Sequence, residues 1–180
     1  MSNISKWIQL NSQFVLDNQW CRVRQDRVKL PNGAILDDYF VHVRPEIVLI
    51  LPKTSSRQVI FVRQYRHGVE KILLELPAGT FDAKNEDSLE AAKRELEEET
   101  GYVSSEWMKL STLYDNPVKD TNRIHLYVAL NAQPTGKQSL DLSEEIEVVP
   151  TPINVIKPKI LKGEICVAGT VSALFLGLDL

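Results

Sequence analysis

Cysteine is nearly absent from this 180-residue chain: only Cys21 and Cys166 occur, far apart and without metal-ligand spacing. A thiolate metal centre is therefore excluded, and the pair reads as reduced, partly buried thiols of a cytoplasmic protein in preference to a disulfide. An excess of one charge is lacking too. Lys and Arg number 21 against 24 Asp and Glu, a net charge of −3, which leaves no electrostatic case for a nucleic-acid or membrane surface. Long apolar runs are missing as well. Residues 1–13 are polar and carry no secretory core, and the apolar stretch 167–178 is shorter than the roughly 20 residues a bilayer span needs, so it reads as a buried terminal helix. No internal repeat or low-complexity segment is found. What remains is one globular domain with a sizeable core and room for a small appendage.

Residues 14–43 read as short strands with a turn at Pro31, Asn32 and Gly33. Glu46–Leu51, Gln58–Arg63 and Ile72–Leu76 are strand-like, with Pro52–Arg57 as a turn and Pro77, Ala78, Gly79 as another. A helix follows. Asp87 can cap it with Glu90 completing a capping box, Gly101 can end it in the left-handed conformation, and Leu89, Ala92 and Leu96 form its apolar stripe. Trp107–Tyr114, Arg123–Leu130 and Ile146–Val149 read as strands, with Ala132–Ser143 as a polar loop. A helix starting at Thr151 and Pro152 is expected to kink or divide at Pro158, and a second runs from Ala168 to Leu176. Strands alternating with two or three helices point to an α/β sandwich around a mixed sheet.

The most informative run is Arg94-Glu95-Leu96-Glu97-Glu98-Glu99-Thr100-Gly101-Tyr102. On a helix Glu95, Glu98 and Glu99 stand at i, i+3 and i+4 and share one face. Such a face repels itself, and Arg94 alone cannot neutralise three carboxylates. A hard divalent cation with oxygen ligands would. The plainer alternative is a solvated surface helix.

Taken with Gly79 and Glu86, the run resembles the Nudix box, Gly-x5-Glu-x7-Arg-Glu-U-x-Glu-Glu-x-Gly-U, where U is a bulky apolar residue. Tyr102 fills the final apolar position. One departure is visible: six residues, not five, separate Gly79 from Glu86, and Asn85 occupies the place the count assigns to glutamate. Loop insertions are well tolerated, so the helix should survive it, with the place of Glu86 in question.

The resemblance implies a Nudix-like α/β/α sandwich in which a loop-helix-loop presents metal ligands: Glu95, Glu98, Glu99 and the backbone carbonyl of Ala78, holding magnesium, or manganese in its place. Arg94 would hold the cluster through Glu98. Residues 61–66 and 74–79 look like the lead into the box of ADP-ribose pyrophosphatases, and Pro117 stands where that subgroup carries a proline. By the same resemblance residues 1–44 form an antiparallel β appendage for dimerisation and substrate contact, residues 45–180 form the hydrolase domain, and the protein is a homodimer. Arg63 or Arg66 would contact a diphosphate, or both are surface charge. A late loop glutamate would act as base, Glu144 by alignment, with Glu145 as the alternative and plain solvated acids as the third reading. Trp20 would stack on adenine or serve as a core or dimer contact. His125 falls on a strand and reads as structural. The Asn116–Arg123 loop departs from the subgroup, so another nucleotide sugar, such as an ADP- or GDP-hexose, stays open beside ADP-ribose. So does a non-catalytic nucleotide-binding module of the same fold.

Overall fold

The computed structural model describes residues 4–142 and 144–180. Its chain divides into two compact units, one comprising the strands up to Pro45 together with Tyr114–Asn122, the other Glu46–Leu113 with Arg123–Leu180.

In the first unit, β1 (Ile8–Asp17), β2 (Arg22–Lys29) and β3 (Ile35–His42) form an antiparallel sheet in chain order. The expected turn joins β2 to β3: Gly33 has φ +89°, its N–H donates to Leu30 O, and Asn32 Oδ1 accepts from Ala34 N–H. Strand β1 begins six residues earlier than the alternation at 14 suggests, because apolar side chains occupy both of its faces and no clean period of two marks its start. Ile8, Leu10, Phe14, Val15 and Leu16 are all exposed. Tyr114–Asn122 joins this unit through a parallel bridge between His42 and Asp120, reinforced by their side-chain pair at 3.0 Å.

In the second unit, β4 (Glu46–Pro52), β5 (Gln58–Arg66), β6 (Lys71–Glu75) and β7 (Ala78–Phe81) precede α1 (Ser88–Thr100). After it come β8 (Tyr102–Val103), β9 (Glu106–Tyr114), β10 (Arg123–Leu130), β11 (Gln133–Pro134), β12 (Ile146–Pro152), α2 (Ile153–Leu161) and α3 (Ala168–Gly177). The main sheet runs β7-β4-β10-β9 and is mixed, since β4 pairs parallel with β10 and antiparallel with β7. A second sheet runs β12-β5-β6. Alternation along β4 serves two cores. Val48 and Ile50 pack with Ala91, Ala92 and Leu96 of α1, while Leu49 and Leu51 pack with Val59 and Phe61 of β5, Ile156 of α2 and Leu174 of α3. Helices on both sides of the strands give the expected α/β/α sandwich.

Several local expectations change. Ala78–Gly79 belongs to a strand rather than a turn, because β4 offers it a ladder partner at Leu49 and Val48. Part of the expected polar loop 132–143 pairs as β11 with β8; its last residue, Ser143, lies outside the described residues. Helix α2 is continuous through Pro158, whose missing N–H removes a single bond in a nine-residue helix. Both cysteines are exposed rather than partly buried, since Cys21 follows the turn after β1 and Cys166 precedes α3. No helix among the described residues is long and apolar enough to cross a membrane.

Candidate active site on the carboxylate face of α1

Helix α1 starts and stops where local chemistry requires. Asp87 caps it by accepting from Leu89 N–H at 2.8 Å, and Gly101, at φ +66°, donates its N–H to Glu97 O. The capping box does not form. Glu90 turns instead to Lys93, 2.7 Å away one helical turn on.

The helix brings Glu95, Glu98 and Glu99 to one face, as the spacing requires; Glu95 and Glu98 share Arg94, while Glu99 turns to the backbone of Ala78. Arg94 Nη1 donates to Glu95 Oε1 at 2.7 Å and to Glu98 Oε2 at 3.0 Å. The same guanidinium donates through Nε and Nη2 to the two oxygens of Glu86, at 3.0 and 3.2 Å. Three carboxylates hold it charged, Glu86 foremost, and its pKa is pushed further above the usual range. The extra residue before Glu86 is taken up in a turn: Asp82 O accepts from the N–H groups of Asn85 and Glu86, and the Asp82 carboxylate accepts from Lys84 N–H and Asn85 Nδ2. The insertion therefore leaves Glu86 in a bidentate pair with Arg94.

Glu99 is the buried acid of this face, 4% exposed. Its Oε2 accepts from Ala78 N–H at 3.0 Å. Burial pushes its carboxyl up to about 8 against that hydrogen bond, with neighbouring Glu95 and Glu144 adding to the shift and Arg66 opposing it. Burial raises Glu95 as well, partly countered by Arg94. Strand β7 makes this possible. A Cβ built on Gly79 would lie 1.9 Å from the Glu95 carboxylate carbon, so only glycine admits that side chain.

A polar cavity of about 340 Å³ opens over the face, lined by Ala78, Gly79, Arg94, Glu95, Glu98 and Glu144 among others. Glu144 is half-buried and closes a local ring with Asp141, its carboxylate accepting from Asp141 N–H at 3.0 Å and its own N–H donating to Asp141 O at 2.9 Å. Glu145 is exposed and does not line the cavity. Arg63 and Arg66 separate by strand geometry: three residues apart on β5, they point to opposite faces. Arg63 pairs with Glu147 at 2.6 Å. Arg66 is bound by both oxygens of Glu75; burial works against its charge, yet that pair, with Glu99 and Glu144 near, raises its pKa.

Trp20 and Pro117 belong to the other unit. Trp20 is 87% exposed in the turn after β1, so it is no core residue of the protomer. His125 lies on β10, a strand as expected, and is buried; its Nε2 stands 2.8 Å from Glu46 and its Nδ1 3.2 Å from Lys109 Nζ. Asp141 and Ser139 at the cavity escaped the sequence reading, since nothing local distinguishes them from solvated loop residues.

Among the described residues no three His, Cys, Asp or Glu side chains are gathered as a metal-holding group, because Glu95 and Glu98 are turned onto Arg94 and Glu99 onto Ala78 N–H. The donor set nevertheless fits a divalent cation. It is all hard oxygen, and it includes a buried carboxyl whose ionisation Arg66 balances only in part.

Comparison with known proteins agrees with this geometry. The NUDIX domain model matches residues 43–163, and the model of the nucleoside diphosphate sugar hydrolase N-terminal domain matches residues 7–42. The chain is 31% identical to the methanol dehydrogenase activator of Bacillus methanolicus over 78% of its own length and 75% of that protein. It is 34% identical to the ADP-ribose pyrophosphatase of Bacillus subtilis strain 168, over 68% of its own length and 65% of that protein. A crystal structure of an ADP compounds hydrolase superposes with a TM-score of 0.85 at 27% identity, covering 99% of this chain and 96% of that one. With its box helix inside a domain match that spans well over half of its length, this chain belongs to the Nudix family.

Proposed function

We infer that this protein hydrolyses the diphosphate bond of a nucleoside diphosphate sugar, with ADP-ribose as substrate and AMP and ribose 5-phosphate as products. The observation that carries the reading is a polar cavity lined by Glu95, the Arg94-tethered Glu98 and Glu144, with the buried Glu99 on the same helix face. The two family matches and the likeness to ADP-ribose pyrophosphatase and ADP compounds hydrolase support the substrate class.

Glu95, Glu98, Glu99 and the Ala78 carbonyl would hold the divalent cation, magnesium or manganese, which when bound neutralises diphosphate charge and polarises the phosphorus under attack. Glu144 accepts the proton of the attacking water as general base. Arg66 offers its guanidinium to non-bridging phosphate oxygens, where charge accumulates. Arg94 positions Glu98 and Glu95. Arg63, on the opposite strand face, stays with Glu147. Trp20 is proposed as an adenine platform and Pro117 as part of the substrate-binding loop. A homodimer is part of the same reading, supported by the exposed apolar residues of β1. So is a cytoplasmic location, which suits two free, exposed thiols.

A second reading keeps the chemistry and changes the sugar nucleotide, favoured by the unusual Asn116–Arg123 loop. The test is a product-resolved panel of ADP-ribose, ADP-hexoses and GDP-hexoses with magnesium. A kcat/KM highest for ADP-ribose is expected; a preference for a hexose nucleotide transfers the assignment. A purely binding module is disfavoured by the intact carboxylate set and is tested by the same panel.

A further inference from the structure

The loop that follows β11 does more than carry Glu144. It grips the C-terminal end of α1, whose last carbonyls have no partner within the helix. Ser139 N–H donates to Glu98 O at 2.9 Å, and Thr135 donates to Gly101 O through both N–H and Oγ1, at 2.6 and 2.9 Å. Between them, Gln138 Nε2 donates to Glu99 O at 2.6 Å. The same nitrogen lies 3.3 Å from Ile146 O, where the loop enters β12. One carboxamide thus ties Gln138 both to Ile146, where β12 begins, and to the backbone of the buried acid of α1. Glu144 stands between Gln138 and Ile146 in sequence and is braced by its ring with Asp141.

We propose that Gln138 is a positioning residue for the hydrolysis, setting the place of Glu144 relative to Glu95 and Glu99. The inference rests on the proposed hydrolase reading. Gln138 hydrogen-bonds none of the three carboxylates; it acts through the backbone. A displacement of about 1 Å in a catalytic group is enough to cost as much as 10²-fold in rate, so a tether of this kind matters even where its contribution to stability is small. The aliphatic truncation Gln138→Ala removes both donors, and Gln138→Glu keeps the shape while removing them.

The test combines a kinetic cycle with hydrogen exchange on the full chain. Both Gln138 variants should lower kcat for ADP-ribose by about 10-fold with KM changed less than about 2-fold, since substrate binding is left in place. In a Glu144→Gln background the same substitutions should have no further effect, because the group they position has already been lost. Exchange at the amides of 139–142 and 144–146 should quicken, with the α1 amides of residues 92–97 unchanged. An unchanged kcat overturns the proposal, and so does an equal loss in both backgrounds, which a general structural role would give. Should the wild-type chain hydrolyse no nucleotide sugar, the hydrolase reading fails by itself, and with it the positioning role; quickened exchange would then leave only a loop tether.

Discussion

Glu99 holds its proton in the folded, cation-free protein between its ordinary 4.5 and about 8, whereas the unfolded chain releases it. The folded state then binds more protons over that interval, so stability should fall as pH rises through it and level off above about 8, with a slope of at most about 1.4 kcal/mol per pH unit. Thermal melts in a chelator from pH 5 to 9 measure this. Glu99→Gln should remove most of the slope; a slope unchanged in that variant would show that another group is responsible. The loop acids make a separate expectation. Glu144→Gln should depress kcat far more than Glu145→Gln, because only Glu144 lines the cavity, and equal effects in steady-state kinetics would contradict its assignment as base. At this scale helix spacing alone placed the three acids on one face. Which of them is buried was not readable, because that depends on Ala78 N–H, contributed by a strand 21 residues away.

Strand β7 shows why elements are harder to read than residues. Pro77-Ala78-Gly79 has the composition of a turn, and only pairing with β4 makes Ala78–Phe81 a strand. That pairing sets Gly79 against the Glu95 carboxylate. Gly79→Ala should therefore leave the fold nearly as stable, since the end of a flexible side chain can swing aside, while lowering kcat by about 10-fold or more through a displaced Glu95. Melting temperature and kcat measured together decide it; a large loss of stability with normal turnover per folded molecule would contradict the account. Helix α1 itself was legible to its ends, because Asp87 and Gly101 act locally, whereas the failed capping box reflects a competing partner, Lys93, equally near. The inserted residue before Glu86 was visible, but its accommodation was not. Side-chain and backbone acceptors of Asp82 absorb it.

At the scale of the whole molecule, the sandwich class followed from alternating strands and helices, and the two-sided alternation of β4 explains it physically. The membership of Tyr114–Asn122 in the first unit rests on His42–Asp120, a pairing across 78 residues that no local pattern announces. Trp20 tests the proposed role of that unit. It is too exposed for its removal to unfold the protomer, so Trp20→Ala should stay folded by circular dichroism and raise KM for ADP-ribose roughly 5- to 100-fold with kcat less affected, adenine being remote from the breaking bond. Dissociation of a dimer in sedimentation would make Trp20 a subunit contact instead, and an unchanged KM in a folded variant would remove it from the site.

The proposed hydrolysis requires a divalent cation on the carboxylate face of α1. Its decisive measurement is product analysis of ADP-ribose hydrolysis by the purified chain, with magnesium and with chelator, for wild type and Glu99→Gln. AMP and ribose 5-phosphate from the wild type with magnesium alone, and a kcat lower by about 10²-fold or more in Glu99→Gln, are predicted. Equal turnover in chelator, or a Glu99→Gln variant as fast as the wild type, would contradict it.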